Sequence, residues 1–320
     1  MTAAPSARAP RRPVHGVLLL DKPLGLSAQA AVARVKALLG AEKAGHTGTL
    51  DPLASGLLPV CLGAATKFAQ VQLEADKAYD ALLRLGARTT TGDAEGEVIA
   101  TAPVDADRLT PARLADLACR FTGVIEQIPP MYSALKKDGK ALYEYARAGV
   151  EVERAPRRVT IHALQLEPVP HDPAALRLRV RCSKGTYVRT LAEDLGAALG
   201  CGAHLIALRR TATGPFELAQ AVTLEQLQHA TMEERLQRLL PPEALLHGWP
   251  QVTLEEDEAG RFLAGLRRRG RWPDAEAVAV FGARPRALLG IGRCRGGELI
   301  PVRLLAPAEI AQWLTQTHAS

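Results

Sequence analysis

The chain has 320 residues, 47% of them hydrophobic and 23% charged, with a formal net charge of +6 and a pI near 9.2. That is ordinary for a globular chain of one large or two unequal domains, and it suits a polyanionic partner without requiring one. The five cysteines (Cys61, Cys119, Cys182, Cys201, Cys294) are scattered with no C-x-x-C pair, which argues against a zinc site or a disulfide framework and fits a reducing cytoplasm. No apolar run approaches membrane-spanning length, and Val17–Leu20 is too short for a signal core.

Residues 1–13 are rich in Ala, Pro and Arg and read as a disordered basic tail. Gly16–Leu20 reads as a buried strand, closed by the turn Asp21-Lys-Pro-Leu-Gly25. Ser27 caps a helix to about Leu39, and Gly40 stops it. Then comes Ala44-Gly-His-Thr-Gly-Thr-Leu-Asp-Pro-Leu-Ala-Ser-Gly-Leu58, around which the rest of the chain is organised. Pro52 pushes Asp51 out of the helical region, so Asp51 is expected on a constrained extended loop, with a strand near Leu57–Leu62 behind it. On turn statistics alone, an Asp before a Pro is a turn residue. Lys77–Leu85 alternates as a strand, and Arg88–Gly96 reads as a polar loop. Lys22 and Arg88, taken singly, read as solvated surface charges.

Thr110-Pro111 opens a helix to about Phe121. The stretch from Glu126 to Arg147 mixes prolines, tyrosines and lysines, with a helical piece at Lys140–Ala148. Charge for phosphate and rings for stacking are what an RNA contact needs. By composition, a surface loop with half-buried tyrosines is an equal reading. Arg158–Leu166 and Ala175–Cys182 alternate as strands, the second sending Arg177, Arg179 and Arg181 to one face, read as the exposed side of a one-sided sheet. Cys182–Arg189 leads into a helix to about Leu199, stopped by Gly200, and Gly202–Arg210 reads as a strand. After Gly248-Trp-Pro250 the composition changes. Glu255–Glu258 opens a short helix, acids at its positive end, and strand-like pieces follow around Ala277–Val280, Ala287–Ile291 and Leu299–Leu304. Arg261, Arg267, Arg268, Arg269 and Arg271 cluster there.

Several of these segments, taken together, closely resemble the TruB family of tRNA pseudouridine synthases. The Asp51 loop matches G-H-x-G-x-L-D-P-x-A-x-G. Other segments match G-V-L-x-x-D-K-P, L-G-x-x-T-x-T-x-D, C-S-K-G-T-Y-x-R and C-G-A-H-x-x-x-L-R-R, so the likeness runs in order from Gly16 to Arg210. It implies an α+β pseudouridine synthase fold: a central mixed, largely antiparallel sheet flanked by helices, plus a small β-rich C-terminal PUA-like domain. The expected division is a catalytic domain over 14–248, with an insertion at about 124–156 that closes over the RNA, and an RNA-binding domain over 249–320.

The implied reaction converts the T-loop uridine at tRNA position 55 to pseudouridine on a flipped-out base. It is an isomerisation and needs no cofactor, and no Walker sequence or metal site is read in the chain. The resemblance makes Asp51 the nucleophile, Arg189 its partner, and Tyr79 the residue that stacks on the base and serves in proton transfer. It puts Tyr187 and Leu208 around the uracil, Lys22 among the substrate contacts, and His46 in the space the base leaves. Burial alone disfavours a charged carboxylate, so a cation is expected beside it. The expected partner is tRNA, with no membrane, no obligate protein partner and a monomeric, cytoplasmic chain. A non-catalytic RNA-binding or RNA-folding factor on the same scaffold is the alternative, and the intact set Asp51, Tyr79, Tyr187, Arg189 argues against it.

Overall fold

The computed structural model describes residues 11–318. Of the expected tail, residues 1–10 lie outside that range. Arg12 does not belong to a tail: its N–H donates to the Gly40 carbonyl at 2.8 Å, and it forms a parallel bridge to Ala41. Contacts divide the chain into two compact units. One runs up to Leu50 and adds Leu58–Leu73 and Ala219 onward; the other is Asp51–Leu57 and Glu74–Leu218.

The second unit is built on antiparallel strands that the sequence alternation defines. The strand Lys77–Leu85 pairs on one side with Asp172–Cys182 and on the other with Ala203–Thr213. Beyond Asp172–Cys182 come Arg157–Val169 and then Gly123–Gln127. At the other edge, the Ala203–Thr213 strand pairs in parallel with Ala54–Gly56, making the sheet mixed. Leu176, Leu178 and Val180 are buried while Arg177, Arg179 and Arg181 are exposed, as period two requires. The buried face carries Ala81, Leu83 and Leu85 and is covered by helices Pro111–Arg120 and Val188–Leu199, through Leu114, Leu117, Leu191 and Leu195. Gly200 ends the second helix at φ 81°. Tyr79 and Leu208 sit at the margin of this core, half-buried.

The first unit holds the strand Gly16–Lys22 and the helix Ala28–Leu38, whose Ser27 cap accepts from the Ala30 N–H as expected. It also holds a five-stranded sheet, in the order Gln251–Leu254, Ala275–Gly282, Ala287–Arg295, Glu298–Leu304, Arg268–Arg269. This is the β-rich C-terminal part. It groups with the N-terminal segment because the final helix, Pro307–His318, is tied there. His15 exchanges backbone bonds with the Gln316 amide at 3.0 and 2.9 Å, and Lys67 meets Glu309 at 2.6 Å. Among the described residues, no helix is long and apolar enough to cross a membrane.

Candidate active site

Asp51 sits in the turn that leads into the strand Ala54–Leu62, its carbonyl accepting from the Ala54 N–H at 3.0 Å. Its side chain is 43% exposed, so it is more open than the sequence reading expects. The expected cation is there. Arg189 Nη2 lies 3.0 Å from Asp51 Oδ2, and the arginine side chain is only 8% exposed.

Three further oxygens fix that guanidinium. Nη1 donates to the Thr91 carbonyl at 3.1 Å and Nη2 to the Tyr132 carbonyl at 2.8 Å. Behind it stands Asp93, 4% exposed, with Oδ2 3.6 Å from Nη1. Asp93 is held in turn by the Thr91 hydroxyl at 2.5 Å and the Glu95 N–H at 3.1 Å. A fork of fixed planar geometry suits this many-sided grip better than an ammonium would.

The Arg189 helix begins without a side-chain cap. The buried Gln127 holds the residue before it: its Oε1 accepts from the Tyr187 N–H at 3.0 Å and its Nε2 donates to the Tyr187 carbonyl at 3.3 Å. This fixes the half-buried Tyr187 one residue before Val188, where the helix starts. Burial pushes its phenol above the ordinary tyrosine range. Tyr79 is raised for the same first reason, with the neighbouring Arg210 charge opposing. Leu208 pairs across the sheet with Ala54 and Ala81, which sets it between the strand after Asp51 and the Tyr79 strand.

Asp51, Tyr79, Tyr187, Arg189 and Leu208 therefore share one unit. Lys22 and His46 belong to the other. Lys22 is corrected from a solvated charge: it is 0% exposed, and its ammonium donates to the Pro23 and Leu26 carbonyls at 3.0 and 2.5 Å. It braces the turn before the first helix and does not open onto a surface. His46 is half-buried on a short strand, and its Nδ1 accepts from the Gly48 N–H at 3.2 Å. Sequence reasoning missed Asp93, Gln127 and Arg210, and the carbonyls of Thr91 and Tyr132. Asp93 is the last residue of the quoted L-G-x-x-T-x-T-x-D segment, so a signal was present. The carbonyls carry none, because a backbone acceptor has no sequence signature.

In the stretch 124–156, two cations lie over tyrosine rings. Lys140 Nζ lies 4.7 Å from the Tyr145 ring centre and Arg147 5.3 Å from that of Tyr143. The first residues of that stretch are not loop but the sheet strand Gly123–Gln127. Among the described residues, no group of three or more His, Cys, Asp or Glu is arranged to hold a metal.

The mixed central sheet with its covering helices, followed by a β-rich C-terminal part, is a pseudouridine synthase fold. Family models agree along the chain. One for the TruB family pseudouridylate synthase N-terminal domain matches residues 36–188, one for the tRNA pseudouridylate synthase B C-terminal domain matches 189–247, and one for the pseudouridine synthase II TruB C-terminal region matches 250–305. The tRNA pseudouridine synthase B of Verminephrobacter eiseniae (strain EF01-2) is 60% identical, covering 98% of this chain and 96% of that protein. That of Ralstonia nicotianae is 58% identical, covering 93% and 96%. Among solved structures, a Cbf5-Nop10-Gar1 complex contains a chain similar at TM-score 0.68 and 25% identity, covering 92% of this chain and 87% of that one. The chain belongs to the TruB family of pseudouridine synthases and is an enzyme of that class, an isomerase of uridine in RNA.

Proposed function

We propose that the chain converts the uridine at position 55 in the T-loop of tRNA to pseudouridine, with Asp51 as the nucleophile on a flipped-out base. The observation that carries this is the Arg189–Asp51 pair at 3.0 Å, in a chain 60% identical to a tRNA pseudouridine synthase B. The reaction breaks N1–C1′ and forms C5–C1′, while a proton leaves C5 and one arrives at N1. Nothing is oxidised or reduced, so the atoms balance without a co-reactant. A carboxylate held close to the sugar is suited to covalent work. Tyr79 stacks on the base and takes part in proton transfer. Tyr187 and Leu208 line the uracil pocket. Extrusion of a stacked T-loop base costs a few kcal/mol, and His46 fills the space it leaves. Residues 249–320 supply RNA affinity in the manner of a PUA module.

The test is incubation with an unmodified tRNA transcript, followed by site-resolved detection of pseudouridine. Wild type should modify position 55, and Asp51→Asn should bind the RNA and leave it unmodified. Pseudouridine elsewhere only, or normal turnover by Asp51→Asn, would defeat the proposal.

A further inference from the structure

Arg210 has no part in the scheme above, yet it is 2% exposed and lies in the same unit as Asp51. Its position is fixed on two sides. In the antiparallel pairing it stands opposite Tyr79, and in the parallel pairing opposite Gly56. Residues directly opposite in a sheet send their side chains to the same face, with Cβ atoms roughly 5 Å apart. The Arg210 side chain therefore lies alongside the Tyr79 ring. Its Nε donates to the Leu57 carbonyl at 2.7 Å, and it also hydrogen-bonds the Tyr79 phenol.

We infer that Arg210 is a positioning residue for Tyr79, tying the phenol oxygen to the strand that follows Asp51 so that ring and carboxylate keep one relative placement. The inference rests on the role proposed for Tyr79. The surroundings make a purely structural duty an expensive one. Lys77, two residues before Tyr79 and on the same face, is also buried, and burial followed by the Arg210 charge pushes its ammonium down to about 8. Two neighbouring buried cations cost free energy that an apolar residue at 210 would avoid. What the arginine adds is a donor fork with one arm on Leu57 and another on the phenol. That charge-assisted contact also offsets part of the upward push that burial gives the Tyr79 phenol.

The test is a double-mutant cycle on single-turnover rates at saturating RNA, with Arg210→Lys, Tyr79→Phe and the pair. Arg210→Lys should slow the step roughly 10- to 100-fold with RNA affinity unchanged, the scale of one charged hydrogen bond. In the Tyr79→Phe background it should cost nothing further. Tyr79→Phe at wild-type speed defeats the reading of Tyr79 on which the inference rests. Tyr79→Phe slow, with Arg210→Lys equally damaging in both backgrounds, overturns the inference alone. Where Arg210→Lys does not fold, hydrogen exchange decides. The guanidinium protons of Arg210, followed by NMR, should exchange at least about tenfold faster in Tyr79→Phe than in wild type. Equal rates overturn the inference.

Discussion

Asp51 and Asp93 share one guanidinium but face opposite environments. Asp51 is 43% exposed and 3.0 Å from Arg189, while Asp93 is 4% exposed and 3.6 Å away. The buried partner balances charge inside the protein, and in the function proposed above the open one meets substrate. Asp93→Asn keeps the volume and removes the rear charge. The single-turnover rate should fall by about 10-fold or more, because Arg189 then lacks its inner counter-charge and the Thr91–Glu95 loop loses its hub. RNA affinity should hold. An Asp93→Asn enzyme as fast as wild type would show that the rear carboxylate is dispensable.

Arg189 separates geometry from charge. Arg189→Lys keeps a cation but cannot reach Asp51, Asp93 and the carbonyls of Thr91 and Tyr132 together, so turnover should drop by about two orders of magnitude while the fold survives. Arg189→Met should also unfold more easily, by about 3–5 kcal/mol, because Asp93 stays buried without its partner. Denaturant midpoints and single-turnover rates for the two variants give the comparison. Equal stability loss in both would mean that charge balance at Asp93 is not what Arg189 provides.

The close approach of strands beside Asp51 depends on Gly56. Its φ is 99°, and a Cβ there would lie 2.3 Å from the Arg210 carbonyl oxygen. Gly56→Ala should therefore cost about 3 kcal/mol or more, combining backbone strain with a clash against fixed backbone. Gly185 is the control: φ is 78° but nothing lies within 4 Å of a Cβ, so Gly185→Ala should cost only about 1 kcal/mol. Unfolding curves for both variants are the measurement. Similar losses would show that the conformational preference alone, and not strand approach, requires Gly56.

Much of the scaffold was legible because its signals are local. The strand Lys77–Leu85 falls where its alternation puts it, Ser27 caps its helix, and Gly200 ends the Arg189 helix. Thr110 shows the limit of such signals: it occupies the N-cap of its helix yet makes no capping bond. What the chain hid is long-range. Gln127 holds the Tyr187 backbone from 60 positions away, and Thr91 bonds Arg189 across 98. Lys22 looked solvated because a lysine in a turn usually is, and only the fold shows the carbonyls that enclose it. The C-terminal arginines from Arg261 to Arg271 run in sequence with no acid between them. In space, Glu258 pairs with Arg268 and Arg261, and Glu298 with Arg267 and Arg269.

Lys77 should leave a signature in stability against pH. Burial, then the charge of Arg210, lowers its ammonium from 10.5 to about 8. Between those values the unfolded chain binds a proton that the folded chain has released, so this residue's contribution to stability rises as pH climbs from about 8 to 10.5. Lys77→Met removes the effect. The stability of the variant relative to wild type should be most favourable below pH 8 and should decline towards pH 10. Paired denaturation curves at pH 7, 8.5 and 10 would reveal it. A difference independent of pH would mean that Lys77 stays charged in the fold.

The paired and exposed arginines of the C-terminal sheet should behave differently towards RNA. Arg268 is enclosed, with its side chain 15% exposed against Glu258. Arg271 and Arg295 are exposed. Deleting residues 249–320 would be a poor probe, since it would also strip Glu309 from Lys67 and Gln316 from His15. Point substitutions avoid that. If Arg271 and Arg295 each neutralise a phosphate, Arg271→Gln and Arg295→Gln should weaken tRNA binding and reduce the slope of log affinity against log salt by about 0.7–0.9 apiece. Single-turnover rates at saturating RNA should not change, because the residues proposed to react, Asp51, Tyr79 and Arg189, lie in the other unit. Arg268→Gln should do the reverse: it should lower the unfolding midpoint by breaking the Glu258 pair and leave the salt slope as it was. Affinities at three salt concentrations for the three variants separate these cases. A full slope with slowed chemistry in Arg271→Gln and Arg295→Gln would assign this sheet to the catalytic step instead of to capture of the RNA.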